Sequence, residues 1–265
     1  FKVKDKKNEK IYAAKISIYE IKDISNESFK NLISEVNIIS KLHHPSILEY
    51  FGYSPVNFKN KQKPVIITEY ASNGSLLDYI ERERSSTSNN YLNPTQKLII
   101  IYGIASAMSY LHFHNIIHRD LKPGNILLDN YLFPKIADFG LSKFNKKDNL
   151  TKSSVAGIKG TPMYISPEIW SRYEYSKAGD VYAFGIIVYE LITNERPFSH
   201  TNIFNIMSEI IDKHRPQFKK QIEPAYRQLI ELCWSDDPKE RPTFYEITQK
   251  LKIDKRFITD SIDEQ

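Results

Sequence analysis

The sequence predicts an α+β fold in which strands come first and helices make up most of the rest. Runs rich in β-branched and aromatic residues, which are typical of strands, occur at 11–18, 47–53 and 65–69. Between 27 and 42 the apolar residues recur every three or four positions, as on one face of an amphipathic helix. Helical patterns dominate from residue 94 onwards. We therefore expect a β-rich first part with one helix, followed by a larger, mainly helical part.

Composition is that of an ordinary globular protein, since 41% of the 265 residues are hydrophobic and 26% are charged. The net charge of +5, from 37 basic and 32 acidic residues, is too small an excess to indicate a nucleic-acid partner. The single cysteine, Cys233, excludes an internal disulfide, suits a reducing, cytoplasmic location and is predicted to lie in the core. No run reaches the roughly 18 apolar residues of a membrane span, and the amino terminus has no signal-peptide core.

The stretch 118–140, which reads HRDLKPGNILLDNYLFPKIADFG, carries the densest chemistry of the chain. Two short apolar runs on either side of a turn-prone Asp129–Asn130 pair predict a β-hairpin. Its flanks carry one lysine and three oxygen-bearing side chains, which are Lys122, Asp120, Asn125 and Asp138. Folding of the hairpin would bring both flanks to one end, where such oxygen ligands suit Mg²⁺.

HRDLKPGN followed by DFG resembles the catalytic loop and the magnesium loop of the eukaryotic protein kinases. The resemblance extends over 1–253, with a small lobe at 1–70, a large lobe at 71–253 and a polar tail at 254–265. It implies the two-lobed kinase fold, in which an antiparallel sheet with one key helix precedes a mainly α-helical lobe. It also implies ATP and Mg²⁺ as ligands, and proteins phosphorylated on serine or threonine as substrates.

The resemblance assigns a role to each polar residue that flanks the hairpin. Asp120 would orient the incoming hydroxyl and accept its proton, and Lys122 would reach the γ-phosphate. Asn125 and Asp138 would hold magnesium. An isolated aspartate or lysine is usually a surface charge, and any one of these four residues alone would be a weak signal, but their order and spacing together indicate a catalytic site.

The string YAAK at 12–15 resembles the kinase strand whose lysine, here Lys15, grips the ATP phosphates while Ala13 lines the adenine pocket. Taken alone, Lys15 would be read as an exposed strand lysine. Glu35 changes that reading because it lies on, or at the edge of, the apolar stripe of the helix predicted at 27–42. A buried carboxylate needs a cationic partner, so we expect a Lys15–Glu35 ion pair. The alternative is a solvated glutamate at the edge of the stripe.

The buried run 65–69 is followed by polar residues and by a helix that is predicted to begin near Ser75. This arrangement resembles the kinase hinge. The match implies that Glu69 and Ala71 offer backbone groups to adenine, and that Leu127 also belongs to the nucleotide site.

Two contrasting segments lead to the catalytic loop. The segment 81–90, ERERSSTSNN, is charged and rich in serine, which predicts an exposed, mobile loop. Asn93–Pro94 then supplies a cap and a first-turn proline for a core helix that extends to about His114.

The segment 138–168 resembles a kinase activation segment. Its polar middle carries Thr151, Ser153 and Ser154, which are candidate sites of phosphorylation by an upstream kinase or by the protein itself. GTPMYISPE closes the segment, and its Thr161 is expected to contact the catalytic loop.

Three further residues are expected to make long-range contacts in the large lobe. Arg119 has two readings, a phosphate-binding arginine or one partner of a local salt bridge. Asp180, near the start of a predicted central helix, would brace the catalytic loop, cap its own helix, or do both. Arg241 is expected to pair with Glu168.

HRDLKPGN and GTPMYISPE resemble serine/threonine kinases, whereas the hinge string TEYASNGSLLDYI resembles tyrosine kinases. This mixture is typical of the tyrosine-kinase-like group of serine/threonine kinases. The family's Gly-rich loop would precede YAAK, and we expect it upstream of residue 1 in a longer protein.

Two other classes remain as alternatives. A pseudokinase scaffold would be favoured by loss of Lys15, Asp120, Asn125 or Asp138, all of which are present. A small-molecule kinase of related fold is disfavoured by the GTPMYISPE segment.

Overall fold

The computed structural model describes residues 1–18, 20, 27–85, 92–144, 160–198 and 202–258, with backbone only at 27 and 28. A four-stranded antiparallel sheet and one helix form a small lobe, and the lobe that follows is mainly helical. The predicted two-lobed α+β fold is confirmed.

The sheet of the small lobe has the strand order β1-β2-β4-β3. Its strands are β1 (Lys2–Lys4), β2 (Ile11–Ile16), β3 (Tyr50–Ser54) and β4 (Val65–Glu69). The strand predicted at 47–53 begins three residues too early, because Ile47 instead forms an isolated parallel bridge to Ile136 in the other lobe. β1 was not predicted, since three residues with two exposed lysines carry too short an alternation to recognise.

Helix α1 (Glu27–Ile39) is the only helix described in the small lobe, and it ends three residues before the predicted limit at residue 42. Its Ile38 and Ile39 are buried in the core that continues into the large lobe. Glu35 lies on the same buried side, with only 7% of its surface exposed. The apolar stripe read from the sequence therefore points inward, as predicted.

Helix α2 (Leu76–Arg84) begins at Ser75, which forms a reciprocal capping box with Asp78. Gly74 precedes this cap with a φ of +76°, and a Cβ there would lie 2.9 Å from Asp78 Oδ2, so the position favours glycine. The loop prediction for 81–90 is wrong at its start, because α2 continues to Arg84. Residues 86–90 of that segment lie outside the described residues.

Helix α3 (Pro94–Phe113) follows the predicted bounds, with a capping box between Asn93 and Gln96. The stretch 116–144 contains the predicted catalytic loop, and we call it the catalytic stretch. It comes next and is built from β5 (Ile116–Ile117), β6 (Ile126–Leu128), β7 (Pro134–Ile136) and β8 (Lys143–Phe144). β6 and β7 form the predicted hairpin, and β5 pairs with β8. Asp129 Oδ1 closes the hairpin turn by accepting from the backbone N–H groups of Tyr131 and Phe133.

The other helices of the large lobe are α4 (Pro167–Arg172), α5 (Lys177–Thr193), α6 (Ile203–Ile211), α7 (Pro224–Cys233) and α8 (Phe244–Ile253). α5 is the predicted central helix and is buried over most of its length. At Gly185 a Cβ would lie 2.8 Å from Cys233 Cβ, so close packing of α5 on α7 requires the glycine. Cys233 is buried, as predicted.

Arg241 and Glu168 form the expected buried ion pair, with two hydrogen bonds of 2.7 and 2.9 Å.

The polar tail predicted at 254–265 needs a correction at its start. A helical turn covers Lys255–Phe257, and Phe257 is buried with its ring 5.0 Å from that of Tyr226. Residues 259–265 lie outside the described residues.

None of the helices in the described part of the chain has the length and apolar character needed to cross a membrane.

Candidate active site

Lys15 lies between two carboxylates at the junction of the lobes. Its Nζ donates to Glu35 Oε1 at 2.7 Å and to Asp138 Oδ1 at 2.9 Å. The expected Lys15–Glu35 pair is therefore present, and the burial of Glu35 excludes the solvated alternative. These three residues, which we call the lobe-spanning chain, connect β2, α1 and the loop after β7.

Electrostatic interactions within the lobe-spanning chain keep Lys15 and Asp138, the two members that face the cleft, charged. Burial acts to lower the pKa of Lys15, but Glu35 and Asp138 outweigh it and raise that pKa. Burial acts to raise the pKa of Asp138, but Lys15, together with the Gly140 N–H and His118, outweighs it and lowers that pKa. For Glu35 burial is the stronger influence and its pKa is raised. At neutral pH the cleft therefore presents a lysine cation beside an aspartate anion.

Asp138 has a φ of 61°, in the left-handed region that residues with a side chain seldom adopt. The next residue, Phe139, is fully buried and packs edge-on against His118 with ring centroids 5.4 Å apart. Burial of this ring holds the strained backbone in place. Strain of this kind concentrates at functional sites.

The catalytic-loop residues form a second cluster around Asp120. Its Oδ2 accepts from Lys122 Nζ at 2.7 Å and from Asn125 Nδ2 at 3.0 Å. Lys122 Nζ also donates to Thr161 Oγ1 at 2.9 Å, which is the contact expected for Thr161. The hairpin joins this cluster to the lobe-spanning chain, because Ala137 N–H donates to Asn125 O at 2.9 Å.

Asp180 anchors the backbone of the catalytic loop from α5. Its carboxylate accepts from the N–H groups of His118 and Arg119 and from His112 Nε2, each at 2.9 Å. Burial would raise the pKa of Asp180, but the hydrogen bond and charge of His112 and the contacts with His118 lower it. The bracing role is confirmed and the capping alternative is wrong, because the cap of α5 is Ser176.

Arg119 carries a positive φ of 69°, and its guanidinium lies 4.7 Å from the centroid of the Tyr175 ring. Burial lowers the pKa of this guanidinium. The candidate phosphorylation sites Thr151, Ser153 and Ser154 lie outside the described residues. The phosphate-binding reading of Arg119 therefore stays a prediction.

The residues predicted to hold adenine lie along β2, β4 and β6. Ala13 pairs with Thr68 across the sheet and is two residues from Lys15, on the same face. Ala71 is the second residue after β4, and Leu127 is partly exposed between two buried neighbours. β6 hydrogen-bonds to the connector after Ala71, since Leu128 N–H donates to Gly74 O at 2.8 Å.

Glu69, the remaining residue of the predicted adenine site, makes two side-chain contacts that the sequence analysis missed. Its carboxylate pairs with Lys135 of β7 at 3.0 Å and accepts from Glu49 N–H at 2.8 Å. These contacts tie the end of β4 to the hairpin, so the hinge and the catalytic stretch are positioned together.

Oxygen ligands for a hard cation are available where both clusters meet. The amide nitrogen of Asn125 is committed to Asp120, so only its oxygen can face a cation. Asp138 supplies a carboxylate kept ionised by Lys15. Within the described residues no group of three His, Cys, Asp or Glu side chains forms a metal cage. Mg²⁺ commonly uses one or two protein oxygens together with phosphates and water, so this donor set fits it.

Comparison with known families agrees with this geometry. Residues 1–251 match the family model described as "Protein kinase domain". The chain belongs to the protein kinase family. The resemblance read from the motifs is thereby confirmed.

Similar curated proteins are named as protein kinases. The chain is 36% identical to serine/threonine-protein kinase VIK of Arabidopsis thaliana over 225 residues, which are 82% of this chain and 49% of that protein. It is 32% identical to serine/threonine-protein kinase CTR1 of the same plant over 242 residues, 89% of this chain and 28% of that protein. It is 34% identical to dual specificity protein kinase pyk3 of Dictyostelium discoideum over 236 residues, which are 88% of this chain and 16% of that protein. This kinase chain thus spans half or less of these relatives.

One part of the kinase domain was missed by sequence reasoning. Arg84 Nη2 donates to Glu190 Oε1 at 2.8 Å, and the hydroxyl of Tyr164 donates to the other oxygen of Glu190. The three residues come from α2, α5 and the GTPMYISPE segment, which are far apart in the chain. No local pattern in the sequence indicates such a contact.

Proposed function

We propose that the chain is the catalytic domain of a serine/threonine kinase that transfers the γ-phosphoryl group of ATP to a protein hydroxyl. The observation that carries this proposal is the arrangement around Asp120. In the described part of the chain, Lys122 and Asn125 both donate to Asp120 Oδ2, which leaves Oδ1 for an incoming hydroxyl. A positioned base, a neighbouring cation and hard oxygen ligands are what phosphoryl transfer requires.

The lobe-spanning chain supports the binding half of the proposal. Lys15 would contact the ATP phosphates, and Glu35 would hold the ammonium group in position. Ala13 and Leu127 would contact adenine with their side chains, and Glu69 and Ala71 with their backbone groups. Adenine recognition by backbone groups explains why these two positions need no special side chain.

The transfer step follows from the catalytic loop. Asp120 Oδ1 accepts the proton of a serine or threonine hydroxyl while that oxygen forms its bond to the γ-phosphorus. The bond from the γ-phosphorus to the bridging oxygen breaks, and ADP leaves with that oxygen. Lys122 lies 2.7 Å from Asp120 and would offset negative charge on the transferred group.

Asn125 and Asp138 would hold Mg²⁺. When bound, the metal neutralises charge on the phosphates and orients them. The chain's own contribution is to fix the two oxygen donors, through the Asn125–Asp120 hydrogen bonds and the Lys15–Asp138 pair.

The proposed partners are proteins that carry accessible serine or threonine. Thr151, Ser153 and Ser154 are the proposed sites of control, modified by an upstream kinase or by the protein itself. The cytoplasmic location also stays a prediction.

The test is phosphate transfer from labelled ATP to a mixed serine, threonine and tyrosine peptide library, with the natural protein, in the presence of Mg²⁺ or a chelator. We expect phosphoserine or phosphothreonine that disappears when Mg²⁺ is chelated. Phosphotyrosine alone, or bound ATP without any transfer, would contradict the proposal. The latter result would favour a scaffold.

A further inference from the structure

A groove of about 540 Å³ opens beside the catalytic loop, and its lining includes none of the three residues of the lobe-spanning chain. Lys122 and Thr161 line it, and their contact with each other lies at the edge of the proposed transfer site. A polypeptide whose hydroxyl reached Asp120 would therefore pass through this groove. Because the groove adjoins the proposed transfer site, its occupant is the substrate segment that flanks the acceptor residue.

The walls of the groove are largely apolar. Phe198, Ile206 and Met163 line it, the first two buried and Met163 partly exposed. Leu77 also lines the groove and is 37% exposed, so part of its apolar side chain faces solvent there. An apolar side chain of a substrate would remove this surface from water.

The carboxylates that line the groove already have cationic or hydroxyl partners. Glu190 accepts from Arg84 at 2.8 Å on one oxygen and from Tyr164 on the other. Glu81 accepts from Arg84 at 3.0 Å on one oxygen and from Arg196 at 3.4 Å on the other. Among the described residues of the groove, each carboxylate oxygen therefore already has a donor, and an arginine or lysine of a substrate would have to compete with it.

Arg84 is the central donor of this hydrogen-bond network. Its side chain is only 13% exposed, and it also donates to the carbonyls of Asn194 at 3.1 Å and Glu195 at 2.7 Å. Burial and the neighbouring Glu190 raise the pKa of Tyr164 well above its usual value, so the hydroxyl keeps the proton that it donates. A basic substrate residue would have to displace Arg84 from several hydrogen bonds.

We propose that this groove selects protein substrates with an apolar rather than a basic side chain beside the acceptor serine or threonine, and that Arg84 is the specificity-determining residue. The inference rests on the proposed function, because that function places the acceptor at Asp120. A basic side chain meets Arg84, Lys122 and Arg196 with no unengaged carboxylate among the described residues, and its burial there is unfavourable.

The test compares fluorescent serine peptides that differ only in leucine or arginine at positions within four residues of the serine. Binding to the natural protein is followed by anisotropy, which does not require catalysis, and phosphate transfer is measured separately. We expect the best leucine peptide to bind about tenfold more tightly than its arginine counterpart, as burial of one apolar side chain implies.

Two variants should shift the preference towards arginine. Leu77→Asp adds an unengaged carboxylate in the groove without touching the core, and Leu232→Asp, at an exposed leucine of α7, is its control. Arg84→Met frees Glu81 and Glu190, and Arg82→Met, on the same helix but outside the groove, is its control. If Arg84→Met does not fold, Leu77→Asp still tests the apolar preference of the groove.

Equal affinity for leucine and arginine peptides, no binding of either, or a preference that Leu77→Asp or a folded Arg84→Met leaves unchanged would overturn the inference. A leucine preference without phosphate transfer would support the groove's selectivity and contradict the proposed function instead. Failure of the groove's selectivity can therefore be distinguished from failure of the proposed function.

Discussion

Two anchors position the proposed catalytic groups, and they differ in where their charges lie. Asp180 is buried in the large lobe and accepts three hydrogen bonds, two of them from the backbone of the catalytic loop. In the lobe-spanning chain only Glu35 is buried, whereas the side chains of Lys15 and Asp138 are 54% and 47% exposed. The first anchor lies within one lobe, and the second connects elements of both.

The comparison separates stability from positioning. Removal of a buried carboxylate lowers stability strongly, because each donor that it paired with is left without a hydrogen-bond partner and without access to water. A partly exposed ion pair contributes little to stability because water screens it and solvates its partners. We therefore expect the Asp180 anchor to maintain both fold and activity, and the lobe-spanning chain to maintain activity alone.

The largest effect on stability is expected for Asp180→Ala. The substitution leaves the N–H groups of His118 and Arg119 buried without their acceptor. At about 1–3 kcal/mol for each group, the free energy of unfolding should fall by about 2–6 kcal/mol, as measured by urea denaturation. Phosphate transfer should be lost as well, because Arg119 keeps its left-handed backbone only while it is held.

Asp180→Asn is the matched control, since an amide retains one acceptor oxygen and should cost less than the alanine variant. It also has a pH signature. The pKa of Asp180 is lowered from its ordinary 3.8, so its charge stabilises the fold above that pH and this contribution is lost as the pH falls further. The natural protein should lose stability below about pH 4 more steeply than Asp180→Asn. Parallel pH profiles would contradict the role of the charge.

Glu35→Gln should affect activity much more than stability. The amide keeps the shape of the side chain but removes the charge that holds Lys15 at 2.7 Å. A hydrogen bond to a charged group contributes about 1.5–3 kcal/mol, so kcat/KM for ATP should fall about 10–100-fold in steady-state kinetics.

Unfolding free energy should change by less than about 1 kcal/mol in the same variant, because burial of the Glu35 carboxylate opposes its ion pair and Lys15 is half exposed. Glu9→Gln, in the exposed pair with Lys4, should change neither quantity. A large loss of stability with unchanged kinetics would reverse the distinction between the two anchors.

Much of the Asp180 anchor and the catalytic stretch could be predicted from the sequence, because the residues that matter lie in short motifs. The hairpin, α3 and α5 follow from local apolar patterns and turn residues. The Lys15–Glu35 pair could be predicted because a carboxylate in an apolar pattern requires a cation, and the Glu168–Arg241 pair was expected from the resemblance to protein kinases.

The missed features depend on contacts that no local pattern contains. ERER at 81–84 reads as a solvated loop, but Arg84 pairs with Glu190 of α5 and the segment is the last turn of α2. Phe257 was assigned to a polar tail because its sequence neighbours are charged, yet it packs on Tyr226. In both cases tertiary packing outweighs local composition.

The most direct test of the account is the turnover number of Asp120→Asn in phosphate transfer to the peptide library, with Asp212→Asn at an exposed position as control. A general base contributes about 10²–10⁴-fold, so kcat should fall by that factor while the thermal midpoint and ATP affinity stay unchanged. The control should match the natural protein. Unchanged turnover in Asp120→Asn, with ATP bound normally, would contradict the role of this carboxylate and with it the proposed mechanism.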